Sequence, residues 1–217
     1  MLNELDKELT RRGHKFVRYA DDCMIFCKSE RSAERTLENI IPYIEEKLFL
    51  KVNRQKTVTA HISKVKYLGY GFYIYKEECR FKVHKKSVAK FKNKIRELTK
   101  RNNGWSNQLR IKKFNEAMRG WINYFKMADM KNLMIETDKW ARRKIRAVYW
   151  KQWKRIKTRY KMISKYGIPK WEVHQMACCR KGIWRASLML NSVLTVKEIA
   201  NLGYISLAGY FMNVCVN

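Results

Sequence analysis

Phe16-Val17-Arg18-Tyr19-Ala20-Asp21-Asp22-Cys23-Met24-Ile25-Phe26 sets two adjacent carboxylates in the middle of an apolar run. Phe16 to Tyr19 and Cys23 to Phe26 have β-strand composition, and the Ala-Asp-Asp step between them is a tight turn, so the stretch predicts a hairpin. Successive strand residues alternate faces, so Asp21 and Asp22 cannot both be buried pointing the same way. At a turn, one carboxylate can project into a cleft while its neighbour braces it. Hard oxygen ligands on a rigid hairpin suit Mg²⁺, which binds one or two carboxylates plus substrate phosphates. Asp-Asp is also an ordinary turn sequence, because Asp hydrogen-bonds its own backbone. The flanking sequence therefore decides the reading.

Around this stretch lie 217 residues, enough for one large or two small domains. Lys plus Arg is 48 and Asp plus Glu is 19, so the net charge is 48 − 19 = +29. A globular chain this basic partners a polyanion. The charge is concentrated: His84 to Arg185 carries 30 basic and 6 acidic residues, and no acid occurs from Lys139 to Trp171. That acid-free run also holds Trp140, Tyr149, Trp150, Trp153, Tyr160 and Tyr166, a mixture suited to phosphate contacts plus base stacking. The bland alternative is a solvated basic face. Hydrophobic residues make up 46%, which excludes a disordered basic tail. No apolar run approaches the length of a membrane span, and Met1 is not followed by an apolar signal region. The scattered cysteines lack zinc-site spacing and read as reduced thiols of a cytoplasmic protein.

The fold class expected is α+β, with a strand-rich part over residues 1–83 and a helical part over 84–217. Met1 to Arg12 reads as a helix ended by Gly13. Ser29 caps a helix from Glu30 to about Leu48, which Pro42 kinks or breaks. Strands are expected at Phe49 to Val52, Thr57 to His61, Val65 to Tyr75 and Arg80 to Val83. After His84 the apolar period changes from two to 3.6. Val88, Phe91, Ile95 and Leu98 mark one helix, and Leu109 to Phe125 a second. Leu133, Ile135, Trp140, Ile145, Val148 and Tyr149 mark a third. Trp121 and Phe125 are assigned to the core of this bundle. Gly167-Ile168-Pro169 breaks the pattern, and short helices follow, one capped by Thr195. Arg142, Arg143 and Arg146 share a helical face, which Lys151, Lys154 and Arg155 extend into a track for RNA phosphates.

Tyr19-Ala20-Asp21-Asp22 between two hydrophobic strands resembles the catalytic hairpin of reverse transcriptases. The likeness continues in family order through Leu50-Lys51-Val52-Asn53-Arg54-Gln55-Lys56-Thr57 and Tyr67-Leu68-Gly69-Tyr70. It reaches Gly120-Trp121-Ile122-Asn123-Tyr124-Phe125 and Trp150-Lys151-Gln152-Trp153-Lys154. Together these resemble the reverse transcriptase–maturases of bacterial group II introns, over nearly the whole chain. The resemblance implies RNA-templated DNA synthesis by two-metal nucleotidyl transfer, with Asp21 and Asp22 as Mg²⁺ ligands and Lys56 beside the incoming dNTP. It implies a primer grip at Leu68, Gly69 and Tyr70, an RNA template/DNA primer duplex, and intron RNA bound for splicing and mobility. It places the end of the palm at 1–83 and the thumb and maturase region at 84–217.

Two absences qualify that. The family's third catalytic aspartate lies on a strand well before the hairpin, but only 20 residues precede Asp21, and Asp6 stands on a predicted helix. No Cys/His-rich nuclease module follows residue 185. The chain is therefore expected to lack the fingers and the first part of the palm. A second reading follows: an RNA-binding thumb/maturase fragment with no polymerase activity alone. A palm without its partner strands exposes an edge, which predicts self-association through residues 15–28 or 65–83. A nonspecific basic ribosome-associated protein would explain the charge but not the motifs.

Overall fold

The computed structural model describes residues 2–216. Ten helices (α1–α10) and five short strands (β1–β5) follow in the order α1, β1, β2, α2, β3, β4, β5, α3 to α10. The fold is α+β, as expected, with small antiparallel sheets followed by helices. The chain divides into two compact units after Arg80.

In the first unit, α1 (Leu2–Arg11) ends at Gly13, whose φ of +74° is free of strain only in glycine. The Gly13 and His14 amides donate back to the Thr10 and Leu9 carbonyls at 2.9 and 3.0 Å, a Schellman closure. β1 (Lys15–Tyr19) and β2 (Asp22–Phe26) form a two-stranded antiparallel hairpin, with Tyr19 opposite Asp22. α2 (Glu30–Pro42) begins where the Ser29 hydroxyl accepts from the Ser32 amide at 3.2 Å. Pro42 cannot donate to the helix ladder, and the next turn, Tyr43–Lys47, widens into a π-helix. A small core gathers Leu5 and Leu9 from α1, Ile40 from α2, and Leu48.

Two expected strands are absent. At Phe49 to Val52 the chain is irregular. Phe49 has φ +54°, incompatible with an extended run, and the Leu50 amide turns back to the Ile44 carbonyl at 3.0 Å. At Thr57 to His61 there is likewise no strand, because the Thr57 amide and hydroxyl both close onto the Asn53 carbonyl. β3 (Lys66–Tyr67), β4 (Tyr70–Tyr75) and β5 (Glu78–Val83) form the second sheet, in that order. Both connections are two-residue turns with positive φ at each position: Leu68 (+49°) and Gly69 (+84°), then Lys76 (+47°) and Glu77 (+65°). That is the primed turn geometry matching strand twist.

The second unit is helical beyond β5. α3 (Lys85–Leu98) and α4 (Asn107–Tyr124) pack together through Phe91, Ile95, Phe114, Met118 and Ile122. Trp121, half-buried, stacks on Phe91 with ring centroids 3.9 Å apart and lies 4.6 Å from Phe125. α5 (Lys131–Gln152) is the longest helix, about 33 Å at 1.5 Å per residue. It packs against α8 (Ile183–Met189) and α10 (Leu207–Val216). α6 (Ile156–Ser164) packs on α7 (Lys170–Ala177). Thr195 caps α9 (Val196–Asn201), its hydroxyl accepting from the Glu198 amide at 3.2 Å.

The buried side of α5 matches half of the stripe its apolar residues suggested: Ile145, Val148 and Tyr149 are buried. Leu133, Ile135 and Trp140 are half-buried, while Thr137, Asp138 and Arg146 are buried with Met134, Ala141 and Ile145. Asp138 accepts from the Arg142 guanidinium and, at 2.8 Å, from the Ser206 hydroxyl just before α10. Removing a carboxylate from a buried pair strands the opposite charge. Asp138→Ala is therefore expected to destabilise the protein by about 3 kcal/mol, read as a lower midpoint in urea unfolding. Asp138→Asn, which can still accept from Ser206, should lose less.

Candidate catalytic hairpin and nucleic-acid interface

The β1–β2 turn is Ala20-Asp21, with Ala20 at φ +50°. Asp21 stands at the tip and Asp22 begins β2, so Asp22 belongs to the ladder rather than to the turn. Both are exposed. Arg18 of β1 holds the turn from behind. Its Nε and one terminal nitrogen grip both oxygens of Asp6 on α1 at 2.7 and 2.5 Å. The other terminal nitrogen donates to the Ala20 carbonyl at 3.1 Å. The Arg18 guanidinium pulls the Asp6 carboxyl below its ordinary range. Asp6 is thus a brace for the hairpin, through a bidentate pair that fixes geometry as well as charge.

A second brace comes from Tyr67. Its hydroxyl lies 3.5 Å from the Val17 carbonyl and 3.4 Å from the Asp22 carbonyl, long contacts that share one proton between the two strands. Burial, then Cys23 and Asp22, push its phenol above the ordinary value. The Tyr67-Leu68-Gly69-Tyr70 hairpin therefore touches the aspartate hairpin. Sequence reading supplied both stretches but not their contact, because periodicity does not show where a hydroxyl ends. Gly69 occupies a positive-φ turn position, which is what the β3–β4 turn requires of it. Lys56 is exposed on the turn after Asn53, where its amide donates to the Asn53 carbonyl and side-chain oxygen at 3.0 and 3.2 Å.

The basic track of the second unit needs correcting. Arg146 is buried, at 5% exposure, and its Nε donates to the Leu194 carbonyl at 2.7 Å. Burial lowers its pKa to about 10, so it remains a cation at neutral pH, held inside by a carbonyl. Arg142 is spent on Asp138. Arg143 is half-buried, donates to the Trp184 carbonyl at 3.0 Å, and stacks on the Trp184 ring at 3.8 Å. These three do not form a solvent-facing phosphate track. Lys151, Lys154 and Arg155 are exposed.

The motif aromatics are equally structural. Tyr149, Trp150 and Trp153 are buried, so they are not free to stack on bases. Arg159 covers Trp150 at 4.2 Å, and its Nε donates to the Trp153 carbonyl at 2.9 Å. Gln152 exchanges two hydrogen bonds with Asn107, tying the end of α5 to the start of α4. Asn123 accepts from the Tyr210 hydroxyl at 3.2 Å.

Two family models match the chain. Residues 1–72 match the reverse transcriptase (RNA-dependent DNA polymerase) model, and residues 88–167 match the group II intron, maturase-specific domain. The chain belongs to the group II intron reverse transcriptase/maturases. Membership implies binding of intron RNA. A comparison with curated proteins gave no match. No helix among the described residues is long and apolar enough to cross a membrane.

Asp21 and Asp22 offer the hard oxygens Mg²⁺ prefers. Among the described residues, however, no three His, Cys, Asp or Glu side chains gather into a metal site, and Asp6 is committed to Arg18. The donor set present does not complete a two-metal cradle.

Two outcomes are expected from stability measurements. Arg146→Met should cost about 2 kcal/mol, the loss of a charge-assisted bond to a buried carbonyl, seen in chemical denaturation. Tyr67→Phe should cost at most about 1 kcal/mol, yet speed hydrogen exchange at the amides of β1 and β2.

Proposed function

We propose that this chain contributes the catalytic hairpin and the RNA-gripping helices of an intron reverse transcriptase/maturase, and that alone it binds RNA without polymerising. The observation that supports this is the Asp6–Arg18 pair. The aspartate that could have approached the hairpin instead braces it, and among the described residues no third carboxylate gathers with Asp21 and Asp22 into a metal site.

With further donors supplied by the assembled enzyme, Asp21 and Asp22 would hold Mg²⁺, which would supply charge stabilisation for nucleotidyl transfer. Lys56 lies beside the incoming dNTP, where an ammonium offsets charge on the leaving pyrophosphate. The Leu68-Gly69-Tyr70 turn grips the primer of the RNA template/DNA primer duplex. Arg18, Tyr67 and Asp6 act through the hairpin by holding its shape. Intron RNA lies against exposed cations of the second unit, including Lys151, Lys154 and Arg155, in place of the track through Arg142, Arg143 and Arg146. The sheet edges of the first unit remain the place where a partner strand, or a second copy, would pair.

Primer extension tests this. The chain alone should give no product, and supplying the family's N-terminal palm and fingers in trans should restore it. Asp21→Ala should then abolish extension while RNA affinity stays within about twofold, since the carboxylate touches metal rather than phosphate. Extension by the chain alone, insensitive to Asp21→Ala, would overturn the reading. Changing Lys151, Lys154 and Arg155 together to Ala should lower the log–log salt slope by about 0.7 to 0.9 per lost phosphate contact. Arg146→Met should leave that slope unchanged.

A further inference from the structure

One cluster in the second unit carries more cation than its packing requires. The Lys144 ammonium lies between two tryptophans, 5.3 Å from the Trp140 ring centroid and 5.5 Å from that of Trp184. The Arg96 guanidinium of α3 faces Trp140 at 5.3 Å, and the Arg143 guanidinium stacks on Trp184 at 3.8 Å. Burial, then Arg96 and Arg101, push the Lys144 pKa down, and no carboxylate is among the groups that shift it. The acids on the same helices are engaged elsewhere: Glu97 with Lys94, Glu136 with Lys139, Asp138 with Arg142. α8 contributes none. A half-buried Lys144 beside exposed like charges, with no counterion, is costly, and an anion lodged among them relieves that cost.

Trp184 keeps 41% of its surface exposed. It is nevertheless held, because Arg143 grips both its carbonyl and its ring. A fixed, exposed indole beside unpaired cations is the arrangement that binds single-stranded nucleic acid, with base on ring and phosphate on cation. A duplex hides its base faces and would use the cations alone.

We propose that Trp184, Trp140, Lys144 and Arg96 form a binding site for an unpaired RNA segment, in which a base stacks on Trp184 and the adjoining phosphates lie against the cations. The proposal rests on the RNA-binding reading above and adds a place and a strandedness to it.

The test uses the full chain and fluorescence anisotropy, with two probes titrated between about 50 and 200 mM KCl. One is a labelled oligouridine of about 12 nucleotides, a length within single-strand site sizes, and the other is an RNA duplex of the same length. Trp184→Leu should weaken oligouridine binding about tenfold, the scale of one lost base stack, with its salt slope preserved. Duplex binding should change less than about twofold by the same argument. Trp184→Phe, which keeps an aromatic face, should recover most of the loss even if the leucine variant folds poorly. Lys144→Gln should lower the oligouridine salt slope by about 0.7. Equal losses on both probes, or none on oligouridine for Trp184→Leu and Lys144→Gln, would overturn the site while leaving RNA binding intact. Failure of the wild type to bind either probe in a salt-dependent way would instead remove the RNA-binding reading itself.

Discussion

Arg146 lies inside the second unit with a backbone carbonyl as its partner. That arrangement expresses the constraint under which the whole chain folds. With 48 cationic side chains and 19 acidic ones, most arginines that must be buried cannot have a carboxylate. A buried guanidinium without acceptors would cost several kcal/mol. The fold answers with main-chain oxygens. Arg110 is 2% exposed and donates to the Leu98 and Lys100 carbonyls and to Asn103. Arg143 and Arg159 use the carbonyls of Trp184 and Trp153. The Leu194, Leu98, Lys100 and Trp153 carbonyls lie at a helix C-terminus or in the connection after it, where the ladder leaves oxygens unused, whereas that of Trp184 lies in the first turn of α8. The bonds that neutralise the arginines therefore also fasten the helix termini.

Indole faces do the rest. Arg143 over Trp184, Arg159 over Trp150 and Lys113 over Trp105 each set a cation on an aromatic face within about 4.5 Å. Within the acid-free stretch, where basic and aromatic residues alternate, Arg159 over Trp150 and Lys144 over Trp140 set a cation on a ring. The alternation supports nucleic-acid binding only where the ring stays exposed, and Trp150 and Trp153 fail that condition. The few acids of the second unit are placed with corresponding economy: Asp138, one of six from His84 to Arg185, serves both Arg142 and Ser206.

Much of the fold was legible in the sequence, and the reason is local. Gly13, Ser29 and Thr195 act within one turn of their own position, so capping rules found them. The hairpin at residues 16 to 26 and the shift of period after His84 are likewise short-range signals. The strands expected at 49–52 and 57–61 failed because a strand needs a partner, and the positive φ of Phe49 turns the chain away from extension. The face of α5 was half legible: counting apolar residues finds Ile145, Val148 and Tyr149 but cannot register a buried Asp138 or Arg146, whose partners Ser206 and Leu194 lie 68 and 48 residues away. The site divides in the same way. Asp21 and Asp22 were visible as a motif, whereas the hold of Asp6, Arg18 and Tyr67 on their hairpin depends on contacts across 12 to 50 residues.

That hold bears on how the two aspartates can work. Asp21 and Asp22 are exposed, so nothing in their own packing fixes them. Their position is set through the backbone: Arg18 on the Ala20 carbonyl at the turn, and Tyr67 on the Asp22 carbonyl at the start of β2. A metal site built on such a hairpin can be ordered before metal arrives, because the strain at Ala20 is held by groups that do not themselves ligate. Asp6 cannot serve both purposes. Its carboxylate would have to leave a bidentate arginine to reach a cation, and Arg18 would then lose its anchor on α1. The geometry keeps bracing and ligation on separate residues, so a third ligand has to come from somewhere other than the brace.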